Sequence, residues 1–127
     1  MLSSHVRDTW QTPTDQGRPL VDAATGEEVA RWTSQPADPG ALEHARRVGG
    51  PALRELTFHQ RAGILKSLAK HLNERTGEFY EPSLWTGATP RDSAVDIDGG
   101  IGVLFVYASK GTKELPDASH YVDGAQE

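Results

Sequence analysis

From Pro90 to about Ser109 the chain reads as one long helix that is apolar around nearly its whole circumference, yet carries three glycines. Thr89 is a good N-cap, Pro90 a good first helical residue, and Asp92 sits in the first turn near the positive helix end. Val95, Ile97, Ile101, Val103, Leu104, Phe105, Val106 and Tyr107 surround Gly99, Gly100 and Gly102. Each glycine costs on the order of 1 kcal/mol against alanine in a helix interior. A helix accepts that cost where another helix or a ligand must approach its backbone. Apolarity on all sides predicts burial on most sides. The other elements of a 127-residue chain are too few to cover such a helix. An uncovered patch favours association.

The segment before it divides in two. Residues 5–34 read as a β region, with short strands expected at Val6 to Gln11, Arg18 to Val21 and Glu28 to Thr33. Thr12-Pro-Thr-Asp-Gln-Gly and Asp22-Ala-Ala-Thr-Gly supply the turns. Trp10, Leu20, Val29 and Trp32 are the expected buried side chains. Gln35-Pro-Ala-Asp-Pro-Gly then breaks the pattern, and residues 38–111 read as helical.

Within the helical region, Asp38 caps a helix expected from Pro39 to Val48 and ended by Gly49-Gly50. Pro51 marks a second break, followed by a short helical piece through Leu56. Thr57-Phe-His-Gln60 fits a capping box. Behind it, Ala62, Leu65, Leu68, Ala69 and Leu72 keep helical spacing, with Ile64 flanking the stripe and Lys66, Ser67, Lys70, Asn73 and Glu74 on the polar face. This helix is expected to end near Thr76-Gly77. Glu78 to Trp85 predicts another helix, kinked or cut short by Pro82. Residues 112–127 read as a polar, irregular tail. The sum is an α+β arrangement of short N-terminal strands followed by several helices.

No catalytic constellation emerges from these residues. There is no cysteine, which excludes a disulfide scaffold, a thiolate metal site and thiol catalysis by this segment. Ser67-Leu-Ala-Lys70 matches a serine acyl-enzyme pattern, but its companion Ser-Asp-Asn and Lys-Thr-Gly elements are missing and both residues fall on a polar helix face. Asp96-Ile-Asp98-Gly-Gly resembles the start of a calcium loop, with the glycine misplaced and no closing glutamate. Gly99-Gly-Ile-Gly102 fails the dinucleotide fingerprint, because Phe105 occupies the last glycine position and no strand precedes it. His5, His44, His59, His71 and His120 show no metal-ligand spacing. No catalytic, cofactor-binding or metal residue is therefore expected. A net charge of -5 argues against nucleic acid as a partner. No run is long enough to span a bilayer and the start lacks an apolar signal region, so the expected location is the cytoplasm.

Thr25-Gly-Glu-Glu-Val, placed between two strands, resembles a turn near the start of aldehyde dehydrogenases. Gly50-Pro-Ala-Leu-Arg, Thr57-Phe-His-Gln-Arg-Ala, Leu68-Ala-Lys-His-Leu, Thr86-Gly-Ala-Thr, Asp96-Ile-Asp-Gly-Gly-Ile-Gly and Tyr107-Ala-Ser look most like one branch, the phenylacetate-degradation bifunctional proteins of PaaZ type. The similarity covers nearly the whole chain, most densely from Gly50 to Leu115. The fold it implies is α/β in the full family, of which this chain is an N-terminal α+β fragment.

The activity it implies is NAD- or NADP-dependent oxidation of a CoA-linked semialdehyde to the acid. In that family a cysteine attacks the carbonyl, hydride passes to the nicotinamide, and a glutamate activates water on the thioester. None of these residues maps onto this chain, so the chain alone should bind no cofactor and be inactive. The implied partner is the rest of the dehydrogenase polypeptide, itself expected to be a homo-oligomer. One feature does map: the helix matching Pro90 to Ser109 lines the substrate tunnel, and Val95 and Gly99 match tunnel-lining positions. Pro82 departs from the family pattern, which has an apolar residue there. A different class of reading is a free-standing helical interaction module that binds a protein partner through the same helix.

Overall fold

The computed structural model describes residues 1–35 and 38–124. Of the expected breaker, Pro36 and Ala37 lie outside these, as do residues 125–127 of the expected tail.

The β region is two separate antiparallel hairpins. β1 (Ser4–Val6) pairs with β2 (Thr9–Gln11), and β3 (Arg18–Val21) with β4 (Glu28–Trp32). The single strand expected from Val6 to Gln11 is therefore corrected to a turn and a strand. Arg7 and Asp8 both take positive φ, 50° and 61°, which is the backbone twist a two-residue hairpin loop requires. Arg7 is held in this costly conformation by an ion pair to Asp38. In the second hairpin the Asp22 carboxylate accepts from the amides of Ala24 and Thr25, and Gly26 turns the chain at φ 74°. The expected β core does not form. Trp10 is 70% exposed, Leu20 and Trp32 are also exposed, and Val29 is half-buried. Each hairpin has only two strands, so neither has an opposing layer to bury its apolar side.

Helix follows without the expected break at Gly49-Gly50. α1 (Gly40–His44) continues through a π-helical turn (Ala45–Gly49) into α2 (Gly50–Glu55). The Asp38 carboxylate accepts from the Gly40 amide at 2.8 Å, so it does cap the start. The π turn explains how Pro51 is tolerated. Its wider ladder, with the Gly50 amide donating to Ala45 O, suits a residue that lacks an N–H and would crowd the preceding turn. Glycine fits this turn because a Cβ on Gly50 would stand 3.2 Å from Ala45 O.

The capping box at Thr57 is complete. The Gln60 amide donates to Thr57 Oγ1 at 3.1 Å, and the Thr57 amide donates to Gln60 Oε1 at 2.9 Å. α3 (Phe58–Asn73) follows, ending three residues before Thr76. α4 (Gly77–Leu84) runs through Pro82 and stops two residues later. Ala23 N donates to Trp85 O, joining the second hairpin to the end of α4. α5 (Pro90–Lys113) extends four residues beyond the expected Ser109.

The core lies between α3 and α5, with α4 against the first half of α5. Its buried apolar side chains are Ala62, Ala69, Ile101 and Ala108. Three of the four are alanines, so the helices meet closely but bury little volume. Leu68 and Ile64, expected in or beside the buried stripe, are exposed on the far side of α3. The segment after α5 folds back on α3. Phe58 N donates to Ala118 O, Arg61 to Ser119 O, and His59 bonds Leu115 O.

Candidate substrate-tunnel helix

α5 is the element on which the sequence places candidate site residues, and its neighbours fix its orientation. At its start, Thr89 Oγ1 accepts from the Asp92 amide at 3.2 Å and donates to the Asp92 carboxylate at 2.7 Å. Ser93 is fully buried against α4, where Ser83 Oγ donates to Ser93 Oγ at 2.8 Å. One and a half turns on, Tyr80 Oη donates to Asp98 at 2.9 Å. The hydrogen bond to that carboxylate stabilises the protonated Tyr80 hydroxyl and raises it above its ordinary pKa, with desolvation and the neighbouring negative charge acting the same way. Ile101 and Ala108 then seat the helix on α3.

The glycines do not pack as the sequence suggests. A Cβ on Gly99, Gly100 or Gly102 would meet nothing within 4 Å. The close helix contact falls instead at Gly111, whose Cβ would stand 3.1 Å from that of Ala62. Gly111 lies inside the helix, beyond the expected end near Ser109. Its signal was present: Ala108, Gly111 and Ala62 are small residues on faces that must meet.

Burial on most sides is likewise corrected. Val95 is 68% exposed, and Val103, Val106 and Tyr107 are exposed as well. Val95 and Gly99 lie one helical turn apart on the side opposite Ile101. They form an open surface with Gly102, Val103 and Val106.

The other chemical motifs resolve into structure. Ser67 and Lys70 stand exposed on α3. Asp98 is engaged by Tyr80. His59 holds Leu115 O, and His71 lies 3.3 Å from an Arg75 guanidinium nitrogen. Among the described residues no group of His, Asp and Glu could hold a metal ion, and no helix is long and apolar enough to cross a membrane. A dinucleotide does not fit here either. Gly99, Gly100 and Gly102 lie mid-helix, where their amides belong to the helical ladder and cannot cradle a phosphate.

Among the described residues the chain is an α+β arrangement in which one face of the longest helix is uncovered. No family model matches it. Across its length it is homologous to the N-terminal quarter of an aldehyde dehydrogenase. The relative is the 3,4-dehydroadipyl-CoA semialdehyde dehydrogenase of Aromatoleum evansii, 36% identical over 98% of this chain. The chain spans 24% of that relative's length.

Proposed function

We propose that the chain is the N-terminal scaffold and substrate-tunnel portion of an NAD- or NADP-dependent aldehyde dehydrogenase. The whole enzyme oxidises a CoA-linked semialdehyde to the acid, in aromatic catabolism of the phenylacetate type. The observation that carries this reading is the 36% identity over 98% of the chain to one part of a CoA-semialdehyde dehydrogenase. The uncovered face of α5 supports it, since the residues matched to the tunnel, Val95 and Gly99, lie together on that face with open space before them. The nucleophile, the general base and the cofactor site belong to the remaining polypeptide.

Two experiments test the reading. Purified chain mixed with aldehydes and NAD or NADP yields no reduced nicotinamide above blank, and steady turnover from a clean preparation would refute the scaffold role. In a whole enzyme carrying this segment, Gly99→Leu narrows the tunnel. It lowers kcat/KM for a CoA-linked semialdehyde more than for a short aliphatic aldehyde. Equal losses on both substrates would assign Gly99 to packing alone.

A further inference from the structure

The first hairpin turns on a residue that does not suit its backbone. Arg7 and Asp8 form the loop with φ of 50° and 61°, a conformation that glycine and asparagine adopt readily and arginine rarely does. Backbone held against its preference calls for a compensating contact. Here the Arg7 guanidinium reaches the Asp38 carboxylate, 31 residues along the chain, at the start of α1. It lies over Gly40, where a Cβ would stand 3.2 Å from Arg7 Cζ and 3.1 Å from Asp38 Oδ1. Asp38 meanwhile caps α1 by accepting from the Gly40 amide. Arg7, Asp38 and Gly40 thus meet at the tip of the rod formed by α1, the π turn and α2.

The rod has little else to hold its direction. Among the described residues α1, the π turn and α2 pack extensively only on one another, whereas α3, α4 and α5 pack together as the body. Leu42, Val48 and Leu53 stand exposed along the rod. At its far end the helix stops at Leu56, whose backbone is extended at φ -78° and ψ 142°. Leu56 O accepts from the Arg61 guanidinium at 2.9 and 3.1 Å, so Leu56 and Thr57 are the joint to α3. From the rod's tip the hairpins lead back to the body, because Leu2 N donates to Arg31 O and Ala23 N to Trp85 O. We infer that Arg7, Asp38 and Gly40 form a latch that sets the direction of the rod, which swings about Leu56–Thr57 when the latch opens. A long cation at position 7 spans from the hairpin loop to the helix start, which a glycine suited to that φ cannot do. An exposed ion pair is weak by itself, so the latch opens reversibly.

The chain has no cysteine, so paired nitroxide labels on introduced thiols report its geometry. Leu42→Cys near the tip of the rod and Ser67→Cys on α3 follow the swing, and Ser67→Cys with Ser109→Cys on α5 follows the body; all three sites are exposed. Distances are read by double electron–electron resonance at low protein concentration. Before any further substitution the Leu42–Ser67 pair gives one narrow distribution. Arg7→Gly relieves the backbone but removes the cation, and widens that distribution about twofold or more. Asp8→Gly relieves the same turn, keeps the latch and leaves the distribution unchanged. Asp38→Ser keeps an N-cap acceptor but loses the ion pair, and widens the distribution as Arg7→Gly does. The Ser67–Ser109 distribution stays the same throughout. A Leu42–Ser67 distribution already broad in the unaltered background overturns the latch, as does one that Arg7→Gly leaves narrow. Equal widening by Asp8→Gly would overturn it by assigning the rod's direction to the hairpin turn, and parallel widening of the Ser67–Ser109 pair by assigning Arg7 to support of the whole fold.

Discussion

Gly99→Ala and Gly111→Ala make the same chemical change in the same helix and should act in opposite directions on the isolated chain. At Gly99 the added methyl meets nothing within 4 Å, so only helix propensity changes, and stability rises by up to about 1 kcal/mol. At Gly111 the methyl would lie 3.1 Å from Ala62 Cβ. Ordinary carbon contacts lie at about 3.5–4.0 Å, so α5 must move off α3 by a few tenths of an ångström. Small overpacking of this kind costs about 1–3 kcal/mol. The propensity gain offsets part of it, and less than in mid-helix, because Gly111 lies two residues from the helix end. The expected net effect is a loss of roughly 0–2 kcal/mol. The difference between the two variants, about 1–3 kcal/mol, cancels part of the propensity effect and reports mainly the contact. Urea titrations followed by far-UV circular dichroism at low protein concentration measure both. Equal stabilisation by the two substitutions would refute the close approach of α3 and α5 at Gly111.

Three further outcomes are expected. Ser83→Ala removes the hydrogen bond to the fully buried Ser93 hydroxyl and costs about 1–2 kcal/mol in the same titration, while the Ser83→Ala, Ser93→Ala double variant loses less than the sum of the singles. The Asp38 carboxyl is held below the ordinary aspartate range, first by the Gly40 amide and then by the Arg7 guanidinium. A depressed folded-state pKa stabilises above the unfolded value and is lost as pH falls through the folded one. Amide exchange at Gly40 should therefore quicken on acidification beyond its intrinsic pH dependence, and Asp38→Asn should abolish that excess. Finally, with Val95, Val103, Val106 and Tyr107 uncovered, the isolated chain should bind a hydrophobic dye and unfold broadly. A sharp thermal transition from a monomer that binds no dye would contradict this.

What the sequence revealed of the structure follows the range of the forces involved. The capping box at Thr57 and the cap at Thr89 depend on residues three apart, and both were readable from those residues alone. The hairpin loop at Arg7 and Asp8 was hidden because neither residue is a glycine, and what steadies it is Asp38, far along the chain. The continuation through Gly49 and Pro51 was hidden for another reason. Glycine and proline punctuate most helices, and here a π turn carries the helix past Gly49 and Pro51. Of the candidate site, the helix is legible from its cap and apolar run, whereas Val95 and Gly99 are singled out by the family resemblance alone. Which glycine meets a neighbour was not legible, because that depends on where α3 crosses α5, and four exposed or buried small residues look alike in sequence.

The π turn at Ala45–Gly49 also bears on how chains of this kind are to be aligned. An i→i+5 hydrogen bond encloses one residue more than an i→i+4 bond, so residues after the turn are about 100° out of step with a count made along a plain helix. A relative that builds this rod as uninterrupted α-helix presents the same face to its neighbours with one residue fewer. A single-residue gap between Ala45 and Gly50 is then a conserved geometry written at a different length, and the helical phase on either side of it has to be read separately.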